Sequence, residues 1–157
     1  KRQHVLGVIA LFLLLAIDQG SKYLAVHFLQ GHPDVILIPG VFQLEYLENR
    51  GAAFGILQNQ RVLLLIVTLI IFGGRVIFIA RWAVAEMETA AGAIVLIAAG
   101  AIGNMIDRFA RGYVVDFFYF SLIHFPVFNV ADCYVVVGAV IALLLLLFYY
   151  KEEDFAR

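Results

Sequence analysis

The chain has 157 residues, 64% of them hydrophobic and 15% charged, with a formal net charge of −1. A soluble domain carries about 45–50% apolar and about 25% charged residues, and so small a fold has no interior large enough to hide the excess, so a membrane must solvate it. The near-neutral charge excludes an electrostatic nucleic-acid partner, and the single cysteine, Cys133, excludes an intrachain disulfide and a cysteine-based metal site.

Four segments reach the roughly 20 mostly apolar residues that a spanning helix needs. The first is Val5–Leu29, interrupted by Asp18 and Lys22. Lys1-Arg2 ahead of it resembles the start of a signal peptide. The run passes Asp18 without a small-x-small cleavage site, however, and more spans follow, so a retained helix is expected. Residues 34–57 predict a β-rich connection. Val35–Ile38 is a short apolar run, Pro39-Gly40 a break, and Val41–Glu48 alternates, with Phe42, Leu44 and Tyr46 on one side and Gln43 and Glu45 on the other. Period two around a Pro-Gly break reads as a hairpin, one face of which lies on the membrane or on the helices. The second span is Val62–Ala80, with Arg75 inside it, and a short polar connection, Arg81–Thr89, follows. The third, Ala90–Ile106, is uncharged. Residues 112–120 are rich in Val, Phe and Tyr and predict another extended piece. The fourth span, Cys133–Tyr150, is again uncharged. Trp82, Tyr149 and Tyr150 read as interfacial anchors. The fold class is an all-α integral membrane protein with four antiparallel transmembrane helices and a small β-sheet, in one domain over residues 1–157.

Four antiparallel spans put both termini on one side and both long connections on the other. Lys1, Arg2, Arg81, Lys151 and Arg157 lie on the terminal side, against Arg50, Arg61, Arg108 and Arg111 opposite, a bias that places the termini in the cytoplasm. The same count of spans gathers Asp18, Asn49, Arg50, Asn104, Asp107, Arg108, Asp116, Asn129 and Asp132 near one membrane face. Ionisable groups within a membrane are costly and therefore candidates for function. Asp18 and Lys22 are i,i+4 on one helix face; a buried ion pair that fixes packing and a direct part in chemistry are both open readings. Asp107 and Arg108 are sequence neighbours that need partners from other segments, and a structural role suits them better. Asn129 either caps the last helix or faces the cavity with Asp132. Gly100, with Gly103 beside it, lets another helix approach closely. The four histidines lack metal-ligand spacing, and Cys133 reads as a packing residue.

Five motifs then carry a resemblance: Asp18-Gln19-Gly20-Ser21-Lys22, Asn49-Arg50-Gly51-Ala52-Ala53-Phe54-Gly55, Gly103-Asn104-Met105-Ile106-Asp107-Arg108, Val114-Val115-Asp116-Phe117 and Phe128-Asn129-Val130-Ala131-Asp132. In this order the chain resembles the lipoprotein signal peptidases (signal peptidase II) along its whole length. The resemblance implies a small extracytoplasmic sheet cradling the site, catalytic aspartates at Asp116 and Asp132, and supporting positions at Asp18, Lys22, Asn49, Arg50, Gly51, Asn104, Asp107, Arg108 and Asn129. It implies cleavage of prolipoproteins before a diacylglyceryl-modified cysteine, without metal or cofactor, by a multi-pass protein of the bacterial cytoplasmic membrane whose active site lies near the extracytoplasmic face. The implied partners are that lipidated substrate and membrane lipid, and the chain is expected to be a monomer. Arg75 and the weakly basic tail depart from the family's pattern without touching the motifs.

Two carboxyls sharing one proton supply what amide hydrolysis needs, an activated water and a proton donor. Alternatives are weaker. Ser21 and Lys22 are adjacent on a helix and do not face each other, Ser121 and His124 lack a third group, and no His-Glu-x-x-His occurs. A channel or proton-coupled transporter built on Asp18, Lys22 and Arg75 needs polar groups through the membrane's depth, whereas the third and fourth spans are uncharged through their centres.

Overall fold

The computed structural model describes residues 2–51 and 90–148. The second predicted span, Arg75, the connection after it, residues 52–57 and the tail lie outside the described residues. Helix α1 (Arg2–Leu29) is followed by strands β1 (Val35–Ile38) and β2 (Phe42–Asn49); helix α2 (Ala91–Ala110), strand β3 (Val114–Tyr119), a 3-10 turn (Ser121–Ile123) and helix α3 (Val130–Phe148) complete the order.

At 1.5 Å per residue, α1 is about 42 Å long and α2 about 30 Å. Both are long and apolar enough to cross a membrane, and the apolar stretch Val130–Leu145 of α3 is somewhat shorter. The described residues are inverted relative to a soluble fold. Phe12, Leu13, Phe28, Leu144 and Phe148 are exposed, while Asp18, Lys22, Asp107, Asp116 and Asn129 are buried. Large apolar side chains turned outward are what lipid solvates; the polar groups satisfy one another inside.

The helix limits differ from the sequence reading. α2 runs past Ile106 to Ala110 and so carries Asp107 and Arg108 within its last turns. α3 begins at Val130, three residues before Cys133, because Asn129 and Asp132 cap it. The Asn129 backbone N–H donates to Asp132 Oδ2 at 3.1 Å and the Asp132 N–H donates to Asn129 Oδ1 at 3.0 Å, the reciprocal arrangement of a capping box.

The strands form one antiparallel sheet in the order β1-β2-β3. Its hairpin turns at Pro39-Gly40, where Gly40 has φ +71° and the Val41 N–H donates to the Ile38 carbonyl at 3.0 Å. Proline second and glycine third in such a turn is the type II pattern. Asn49 pairs with Val114 and Leu47 with Asp116, so the end of β2 sits beside the first half of β3. Ala25 and Leu29 of α1 pack with Val115 and Phe117, flanked by Leu44 and Tyr46. The alternating residues of β2 thus bring the sheet onto the exit of α1.

Glycines set the helix spacing. A Cβ at Gly100 would overlap the Ala131 carbonyl oxygen and the Val135 side chain, and one at Gly103 would overlap the Asp18 carboxylate. Gly20 has open space around it. Gly100→Ala should therefore destabilise the protein by about 1–3 kcal/mol, read as a lower Tm in detergent. Gly20→Ala should leave Tm unchanged or raise it, by at most about 1 kcal/mol.

Candidate active site

The polar residues meet where α1, α2, β3 and the start of α3 converge. On α1, Lys22 Nζ lies 3.0 Å from Asp18 Oδ2, and it reaches across to Asp107 Oδ2 on α2 at 3.4 Å; all three side chains are fully buried. Asp18 Oδ1 accepts the Ala131 N–H in the first turn of α3 at 3.0 Å, where a helix N-terminus favours negative charge. Asp107 Oδ2 accepts the Val115 N–H of β3 at 3.0 Å. Each acid thereby fastens one helix to another element, which is the structural role expected of Asp107.

Gln19 belongs to this cluster and was not singled out from the sequence. Its Nε2 donates to Asp18 Oδ2 at 3.0 Å, the Gly103 carbonyl at 3.1 Å and Asp107 Oδ1 at 3.2 Å. The available signal was an amide in an apolar span, one residue from a buried acid.

Three asparagines carry the order inward. Asn104 Nδ2 donates to Asp132 Oδ1 at 2.8 Å. Asn129 Nδ2 donates to Asp116 Oδ1 at 2.6 Å and also approaches the Val115 carbonyl at 3.3 Å. Asn49 Nδ2 donates to Asp116 Oδ2 at 3.1 Å, its own amide oxygen held by the Gly51 N–H at 3.0 Å. Asn129 is both cap and site residue, because its oxygen caps α3 while its nitrogen holds Asp116. Asp116 and Asp132 are therefore joined through one residue, whose side-chain amide meets the Asp116 carboxyl and whose backbone N–H meets the Asp132 carboxyl. Burial, with the charge of Asp132 adding to it, pushes the Asp116 carboxyl up to about 7.

Both acids line a cavity of about 690 Å³. Asn49, Asn104 and Arg108 share its polar end; Phe120, Phe125, Phe128 and Val136 are among its apolar walls. Among the described residues, Arg108 makes only long contacts, Nη1 to the Asn104 carbonyl and Nη2 to the Gly51 carbonyl, each at 3.4 Å. Its buried Nε has no hydrogen-bond partner among the described residues. Such a cation is free to meet an oxygen that enters the cavity.

Arg50 is not brought to this cluster. It is exposed, pairs with Glu48 at 2.7 Å, and lies over the Tyr113 ring at 5.0 Å. The serine alternatives lack geometry. Ser21 Oγ donates to the Asp18 carbonyl at 2.7 Å, Lys22 is occupied by acids, and the His124 ring meets Tyr119 Oη at 3.3 Å.

Comparison with known proteins agrees with the motifs. A protein family described as signal peptidase (SPase) II matches residues 10–148. A lipoprotein signal peptidase of Brevibacillus brevis is 43% identical over 131 residues, covering 83% of this chain and 87% of that one. One from Streptococcus pyogenes serotype M1 is 39% identical over 150 residues, covering 96% of each. A solved bacterial membrane enzyme is similar with a TM-score of 0.76 and 28% identity, over 96% of this chain and 89% of its own. With apolar helices of spanning length, a matching family over most of its sequence and a membrane enzyme of the same fold, this chain is a membrane peptidase belonging to the signal peptidase II family.

Proposed function

We propose that the protein is an aspartic endopeptidase that removes the signal peptide from diacylglyceryl-modified prolipoproteins, cleaving before the lipidated cysteine, with Asp116 and Asp132 as the catalytic pair. The observation that carries this reading is the joint placement of the two acids: Asn129 bonds both, and both face one cavity with a polar end and apolar walls. Four spans, a monomer, and a site near the extracytoplasmic face of the bacterial cytoplasmic membrane complete the proposal.

The pair holds one proton. The ionised carboxyl takes a proton from a water between the two acids, and the water attacks the scissile carbonyl. The protonated carboxyl hydrogen-bonds the carbonyl oxygen, where negative charge develops, and a proton then passes to the leaving amine. Arg108, whose Nε has no partner among the described residues, stabilises that oxygen or a neighbouring substrate carbonyl. Asn49, Asn104 and Asn129 hold the carboxyls in place. The apolar walls accept the acyl chains and the signal peptide's hydrophobic segment, so the reacting bond reaches the acids while the lipid stays in an apolar setting.

Asp116→Asn and Asp132→Asn should each leave folding intact and lower cleavage of a lipidated prolipoprotein by at least about 1000-fold, since residues acting as a unit fail together. A gel-shift assay in detergent reads this, and substantial turnover by either variant removes that residue from the pair.

The raised Asp116 value also fixes the sign of two pH effects. The reactive state needs the shared proton, so kcat should fall as pH rises through about 7; a rate flat to pH 9 would contradict this. For stability, the native state holds a proton that the unfolded chain, with the ordinary value of 3.8, has already released between about pH 4 and 7. Ionisation of Asp116 therefore costs stability progressively over that window. Asp116→Asn should lose one of the two N–H bonds at either pH, but its Tm relative to the wild type should be higher at pH 8 than at pH 4 by a few degrees.

A further inference from the structure

Lys22 does not line the cavity, yet the orientation of the Asn104 amide traces back to it. Its ammonium has three hydrogens and three acceptors: Asp18 Oδ2 at 3.0 Å, Asp107 Oδ2 at 3.4 Å and Asn104 Oδ1 at 2.9 Å. A buried ammonium accepts nothing. Asn104 must therefore present its oxygen to Lys22, and its nitrogen is left to meet Asp132 Oδ1 at 2.8 Å. The same Asn104 oxygen accepts from Asn129 Nδ2 at 3.1 Å, and that nitrogen also meets Asp116 Oδ1 at 2.6 Å.

We propose that Lys22 is a positioning residue of the catalytic pair: its ammonium turns the Asn104 amide so that an N–H faces Asp132, beside an Asn129 amide that the α3 cap already turns toward Asp116. This rests on the reading of those two acids as catalytic. Each N–H stabilises the ionised carboxyl it meets. An Asn104 amide turned end for end would present an oxygen to Asp132, which repels the carboxylate and accepts from the protonated form. Direction, not mere proximity, is what Lys22 supplies. The charged groups around Asp132 are Asp116 on β3, Asp107 and Arg108 on α2, and Asp18 and Lys22 on α1.

Lys22→Met alone strands Asp18 and Asp107 in the interior and invites unfolding. The test is therefore the charge-balanced variant Lys22→Met/Asp107→Asn, alongside Asn104→Asp, which keeps an oxygen toward Lys22 and puts an oxygen toward Asp132. The full chain is purified in detergent and assayed on a synthetic lipidated prolipoprotein peptide, with Tm recorded for each variant. Loss of a hydrogen bond to a charged group is expected to lower kcat about tenfold or more, with KM within about twofold. The acid limb of the kcat profile should move about one pH unit upward, a change that a smaller folded fraction does not produce. Wild-type kcat and an unmoved acid limb in the double variant overturn the proposal. If that variant does not fold, Asn104→Asp decides in the same way, by reduced or wild-type turnover. Asp116→Asn and Asp132→Asn run in parallel. Turnover by those two defeats the catalytic pair itself, whereas inactive aspartate variants beside unaffected Lys22 and Asn104 variants defeat only the positioning role.

Discussion

The first turn of any helix has N–H groups that no carbonyl of the same helix accepts. In an apolar setting each one left unpaired costs about 1–3 kcal/mol, and α3 opens in such a setting. Its N–H groups are taken by side chains of the site: Ala131 gives to Asp18, Asp132 gives to the Asn129 amide oxygen, and Asn129 gives to Asp132. Once the Asn129 oxygen is committed to the cap, only its nitrogen remains for Asp116. Closing the helix end and pairing the acids are therefore one arrangement. An acid from α1, an acid from β3 and an acid of α3 are drawn together by the requirement that a helix not begin with unmet donors among apolar surroundings.

That arrangement explains the layering around it. Asp18, Asp107, Asp116 and Asp132 stand against two cations, Lys22 and Arg108. Lys22 is saturated by Asp18, Asp107 and Asn104, so it neutralises the outer acids and offers no direct hydrogen bond to the inner pair. Asp116 and Asp132 are left with neutral amide and backbone donors and the loosely bonded Arg108. Neutral donors hold a carboxylate in place without cancelling its charge, so burial, with the charge of Asp132 adding to it, still governs Asp116. The sheet adds rigidity: β3 is buried from Val114 through Phe117 and is fastened to Asp107 through the Val115 N–H. Asp116 is thus fixed on both sides of its own residue.

Much of this was legible in the sequence, where elementary periodicity or chain-counting applied. The hairpin follows from alternation around Pro39-Gly40, and its strands lie within one residue of the expected bounds. Counting apolar spans placed the dispersed polar residues at one face, and the described members Asp18, Lys22, Asn49, Asn104, Asp107, Arg108, Asp116, Asn129 and Asp132 do converge. The uncharged runs alone end at Ile106 and start at Cys133. Asp107 and Arg108 as the close of one helix, and Asn129 and Asp132 as the opening of the next, are also legible, and capping and buried ion pairs carry both helices through those residues. Two other residues were less legible. Arg50 shares a motif with Asn49, but neighbours on a strand face opposite ways, and it found Glu48 and Tyr113 instead. Gln19 was passed over because a neutral amide attracts less notice than a charge, although three acceptors meet it.

The chemistry of a lipid-anchored peptide sets two demands that oppose each other. Hydrolysis requires water and ionisable groups, and an acyl chain requires their absence. The cavity separates the two in space, with Asp116, Asp132, Asn49, Asn104 and Arg108 at its polar end and Phe120, Phe125, Phe128 and Val136 along its walls. On the proposed reading, the apolar walls also reduce the dielectric around the acids, which strengthens their mutual repulsion and favours a single shared proton. A more polar cavity would weaken that coupling and solvate the lipid poorly; a wholly apolar one could not keep either acid ionised. The arrangement is tenable because the cost of the buried charges is met beside and behind the acids, by the Asn49 and Asn104 amides at the cavity's polar end and by Asn129 and Lys22 one layer back.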